Sequence, residues 1–237
     1  MNWMNTILSG FPGVLLPYSI RTDDFFTLVL VGVSFLYAFL YGRCRKYLVY
    51  QFRNFFRDRS RSSSFVDVAL VDTRYLLVLF FLACISIGMT AYNIVMQGFP
   101  GLMSLPSPML LLCGLSGAFM LYQGLKLLSY LVIGNVFFGR GPVDLWMDSY
   151  LLIIYTSGII LYPILLVLIF TGGSVEFTIY LSAFLLILAK ILLFCKWIKL
   201  FFANNESLFF LILYFCALEI IPFFILYRGI EKILVIL

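Results

Sequence analysis

Long apolar runs broken by short polar stretches organise this chain. They cover residues 25–42, 75–96, 109–130, 149–170, 177–197 and 208–227. Each is close to the roughly 20 apolar residues a helix needs to cross the hydrocarbon core of a bilayer. The breaks carry turn chemistry. The stretch from Gln97 to Pro108 is rich in Gly and Pro, and Thr171-Gly172-Gly173-Ser174 ends the fourth run. The pattern predicts an all-α fold: one polytopic transmembrane helix bundle over residues 1–237, with about six spanning helices. The third run stays apolar as far as Phe138, so its helix is either long and tilted or ends in an interfacial turn.

The first 24 residues read as an interfacial segment, with Trp3 and Tyr18 suited to the headgroup zone. No Lys or Arg precedes Arg21, and Pro12, Gly13 and Pro17 interrupt the apolar stretch, which is unlike a signal peptide. No internal repeat marks the paired halves common in transporters.

Composition fixes the solvent. Of 237 residues, 63% are hydrophobic and 11% charged. A soluble domain carries about 25% charged residues, so lipid must solvate much of this surface. The cations set orientation. Arg43, Arg45, Lys46, Arg53, Arg57, Arg59, Arg61 and Arg74 lie between the first two runs, Arg140 between the third and fourth, and Lys196 and Lys199 after the fifth. The other side holds Arg21, Arg228 and Lys232. By the positive-inside rule, both termini are expected in the periplasm of a bacterial inner membrane.

A second pattern overlies the basic stretch. On a helical wheel Leu48, Val49, Phe52, Phe55 and Phe56 share one face of Arg43–Arg61, with Lys46, Arg53 and Arg57 opposite. This predicts a cytoplasmic amphipathic helix at the membrane surface. It either anchors the topology or docks a lipid or partner through Lys46, Arg53, Arg57, Phe52, Phe55 and Phe56. Nucleic acid is not an expected partner, because these aromatics are committed to the bilayer.

Three ionisable residues fall inside apolar runs: Lys126, Lys190 and Glu219. Such residues are costly in lipid. From its position along its own helix, Lys126 is expected to reach the cytoplasmic face by snorkelling. Glu219 falls near the midplane, with Pro222 one turn on. Lys190 differs from it in depth by only about 7 Å. A Glu219–Lys190 pair stapling the last two helices is expected; the alternatives are a static pair, a neutral glutamic acid hydrogen-bonded to backbone, or a part in moving protons, ions or substrate.

Asp144 and Asp148 stand one turn apart, after Gly139-Arg140-Gly141-Pro142. They read as acids complementing a helix N-terminus, with Asp144 as a plausible cap. The enzymatic alternative has them hold a divalent metal against a phosphorylated lipid, with Asp67 and Asp72. The chain has no histidine, which removes His-ligated metals, haem and Ser-His or Cys-His catalysis. Its five cysteines form no CxxC and read as inert thiols. No cofactor, resident metal or catalytic residue is expected.

Three stretches carry a family likeness: Arg45-Lys46-Tyr47-Leu48 running on to Phe65, Ala189-Lys190-Ile191-Leu192-Leu193-Phe194, and Leu213-Tyr214-Phe215-Cys216-Ala217-Leu218-Glu219-Ile220-Ile221-Pro222. Together they resemble an uncharacterised family of multi-pass inner-membrane proteins of Bacteroidota, catalogued as a domain of unknown function. The resemblance implies a bacterial inner membrane and a single domain, and it implies no activity. Three roles stay open: a non-catalytic subunit or scaffold of a cell-envelope complex, a small proton- or ion-coupled transporter using Glu219, and an enzyme acting on a lipid headgroup. The first is favoured, with the lipid bilayer and other envelope proteins as partners.

Overall fold

A computed structural model describes residues 24–56, 73–98, 108–137 and 140–202, with residue 228 alone beyond them. The described residues form five helices: α1 Asp24–Phe56, α2 Thr73–Gly98, α3 Pro108–Phe137, α4 Arg140–Thr171 and α5 Val175–Phe202. Each is long and apolar enough to cross a membrane. They match the first five predicted spans. The sixth, at 208–227, lies outside the described residues, as do residues 1–23.

The helices outrun the apolar runs. At 1.5 Å per residue, the 33 residues of α1 span about 50 Å, against about 30 Å of hydrocarbon. The amphipathic stretch therefore does not begin a new helix. Residues 43–56 continue α1 without a break, which corrects the separate surface helix expected there. The inward residues explain the continuity. Phe26, Leu30, Val33, Tyr37, Leu40, Cys44 and Leu48 recur at alternating spacings close to three and four, and all are buried. The seam runs through the basic residues to Phe55, and no proline interrupts it. It also divides the expected apolar face, for Leu48 and Phe55 are buried while Val49 and Phe52 are exposed. Arg57–Arg61 lie outside the described residues. α3, in turn, takes the long form, unbroken to Phe137.

α2 and α4 form the centre, and α1, α3 and α5 each pack against both. Ring contacts set the directions. Phe26 stacks on Tyr92 and Phe39 meets Tyr75, so α1 and α2 are antiparallel. Small residues let backbones approach. A Cβ on Gly88 would lie 2.7 Å from the Cα of Ser116, which marks the α2–α3 crossing. Gly158 meets Ala83 where α4 crosses α2.

The α4–α5 hairpin is locally encoded. Gly172 takes φ 71° just past α4, and the Gly173 N–H closes on the Leu168 carbonyl at 2.9 Å. This arrangement satisfies a carbonyl at the helix end and suits glycine. Ser174 then caps α5, its Oγ accepting from the Phe177 N–H at 3.4 Å. Around the bundle the outer surface is apolar, with Leu28, Phe35, Leu121 and Tyr180 about 70% exposed or nearly so. Such a surface belongs in lipid.

Candidate functional sites in the bundle

Buried polar groups collect at two levels. Near the middle, hydroxyls tie α1 to the central pair. The Ser86 hydroxyl donates to the Leu82 carbonyl at 2.9 Å, which leaves its oxygen to accept from the Tyr37 hydroxyl at 2.8 Å. The Tyr162 hydroxyl donates to the Leu30 carbonyl at 2.6 Å and also touches Ser34. Tyr162 precedes Pro163, which removes one backbone donor from α4. Further along α2 follow Thr90 and Asn93, both buried, and Asn93 accepts from Gln97 at 2.6 Å. Thr90, Thr178 and Ser182 border a cavity of about 10 Å³ otherwise lined by leucines and Ile164. That volume suits one water molecule.

At the other level, near the start of α4, lies Lys126. It is 4% exposed. Its Nζ lies 5.9, 5.8 and 5.3 Å from the ring centres of Tyr122, Tyr130 and Tyr150. These distances fall within cation–π range, worth about 2 kcal/mol when desolvated. The Tyr150 hydroxyl donates to Gln123 Oε1 at 2.6 Å, and Trp146 meets Tyr130 edge-on at 5.6 Å. Lys126 is thus enclosed between α3 and α4, and the snorkelling expected of it is replaced by burial. Depth along one helix could not reveal this, because Tyr150 arrives from the next helix. Tyr122 and Tyr130 were legible, each one turn from Lys126.

The remaining candidates fare differently. Lys190 is exposed on α5, and Glu219 lies outside the described residues, so their pairing stays an expectation. Lys46 and Arg53 are exposed on the extension of α1, with Phe52, while Phe55 is turned inward. The side chain of Phe56, and Arg57 entirely, lie outside what is described. Sequence reading missed the fastening of this extension. Lys196 of α5 donates to the Phe55 carbonyl at 2.9 Å and lies 5.3 Å over its ring. A cation on the last carbonyls complements the negative end of the helix. Asp144 does not cap α4, which begins four residues earlier at Arg140. Asp144 and Asp148 are both exposed. Among the described residues no three acids or thiols gather to hold a metal. Asp67 and Asp72 lie outside them.

No curated protein and no solved structure matches this chain. A family model does, over residues 26–230, which takes in nearly all of the five helices described. The chain belongs to that family, described as Domain of unknown function (DUF4271).

Proposed function

We propose that this chain is a non-catalytic subunit or scaffold of a cell-envelope complex, set in a bacterial inner membrane with both termini periplasmic. The supporting observation is the extension of α1. It carries a membrane helix about 20 Å beyond the hydrocarbon, presents Lys46, Val49, Phe52 and Arg53 outward, and is held at its end by Lys196. A fastened basic rod with apolar residues between its cations suits an acidic protein surface on the cytoplasmic side.

Purification from native membranes in mild detergent tests this reading. A partner recovered in fixed ratio, and lost when Lys46→Glu and Arg53→Glu are combined, is the expected result. Recovery of the chain alone, or of a partner indifferent to both charges, overturns it.

The buried line of Ser86, Thr90 and Asn93 beside Thr178 favours a second reading, a proton- or ion-coupled transporter using Glu219. Reconstituted vesicles carrying a pH-sensitive dye would show flux abolished by Glu219→Gln.

A further inference from the structure

The outer face of α1 changes character within one turn. Leu28, Phe35, Leu36 and Phe39 are exposed and apolar, and Arg43 and Lys46 follow on the same side. At the change, the Arg43 guanidinium lies over the Phe39 ring, 5.8 Å from its centre. Phe39 also meets Tyr75 of α2, with ring centres 6.5 Å apart. Arg74, next to Tyr75, is exposed on the first turn of α2. Each ring of this pair therefore has an arginine on its own helix, Arg43 one turn beyond Phe39 and Arg74 next to Tyr75 in sequence. On α2, Leu77 and Val78 follow toward the hydrocarbon and are exposed.

We propose that this α1–α2 rim binds the phosphate of an anionic phospholipid. Arginine suits the task because its planar fork donates two parallel hydrogen bonds to phosphate oxygens. Stacking on Phe39 restricts the Arg43 fork to the boundary plane, so less of its freedom is lost when the headgroup arrives. The Tyr75 and Phe39 rings suit the headgroup level. Phe35 on α1 and Val78 on α2, both exposed, give the acyl chains an apolar bed. The occupant is a lipid rather than a protein because cations and exposed apolar side chains succeed one another along the helix axis, as headgroup and acyl chain do in a leaflet. The inference does not depend on the scaffold reading, since it rests on Arg43, Arg74 and the Phe39–Tyr75 pair and needs no protein partner.

Native mass spectrometry of the delipidated chain tests it, with phosphatidylglycerol, phosphatidylcholine and soluble glycerol phosphate offered separately. Phosphatidylglycerol should be retained about twenty-five-fold better than phosphatidylcholine, at about five-fold for each of the two arginines. Glycerol phosphate, which lacks acyl chains, should not be retained. Combining Arg43→Gln with Arg74→Gln should abolish the preference, whereas Lys199→Gln should leave it. Phe39→Leu, which keeps both charges, should weaken it in part. Helix content and melting temperature in detergent identify any variant that has failed to fold. Equal retention of both lipids, or a preference that survives in the folded double variant, overturns the proposal. Retention of glycerol phosphate equal to that of the lipid also overturns it, since the site would then bind phosphate without the bilayer.

Discussion

Gly158 on α4 lies directly against Ala83 on α2. A Cβ at Gly158 would come within 2.6 Å of the Ala83 Cα and 3.0 Å of the Tyr37 hydroxyl oxygen. Three helices therefore meet at a position with room for a hydrogen atom only, and the hydrogen bond from Tyr37 to Ser86 is made beside it. Gly158→Ala should lower stability by about 1–3 kcal/mol through overpacking. Gly32, by contrast, has nothing near its missing Cβ. Gly32→Ala should be neutral or stabilising, by up to about 1 kcal/mol. Melting in detergent, followed by circular dichroism, compares the two; equal destabilisation would contradict the crossing described.

Tyr150→Phe keeps the ring beside Lys126 but removes the donor to Gln123. Leaving that carboxamide oxygen buried without its donor should cost about 1–3 kcal/mol. Gln123→Leu added to Tyr150→Phe should recover part of the loss, because the orphaned acceptor is then gone. A double-mutant cycle on unfolding in detergent measures the coupling.

Lys196→Met should free the end of α1 and leave the spans intact. A hydrogen bond from a charged donor is worth about 1.5–3 kcal/mol, so backbone amides near residue 55 should exchange at least about ten-fold faster. Amides of α2 should be unchanged. Hydrogen–deuterium exchange in micelles reads both, and unaltered exchange at the end of α1 would argue against the fastening.

The α4–α5 hairpin gives a paired test. Gly172→Ala places a side chain at φ 71°, costing about 1–2 kcal/mol. Ser174→Ala removes the cap of α5 and should cost about 1 kcal/mol, whereas Ser174→Gly should cost only a few tenths. The ranking is the informative readout, again from thermal melting.

Five spans were legible because lipid rewards continuous apolar runs, a signal that needs no knowledge of neighbours. Their ends were less legible. Hydropathy falls at Arg43, but α1 continues past that level on inward packing by Leu48 and Phe55. The wheel over Arg43–Arg61 could not distinguish a new helix from the prolongation of an old one, and it put the inward Leu48 and Phe55 on one face with the exposed Val49 and Phe52. The setting of Lys126 was half visible: two tyrosines lie on its own helix, while Tyr150 belongs to α4 and arrives only through the fold. The Lys196–Phe55 fastening joins residues 141 positions apart and left no mark in local sequence. The contact between Tyr37 and Ser86, both ordinary residues in apolar runs, likewise required the helices to be placed.

The prolonged first helix makes its embedded length one arm of a lever and its extension the other. Because the same rod is embedded at one end and projecting at the other, a change in lean on the order of 10° swings the tip sideways by on the order of 3–4 Å across its projecting 20 Å. Thinning of the lipid, or a shift of the neighbouring helices, would thereby be read outside the membrane as displacement of Lys46 and Arg53.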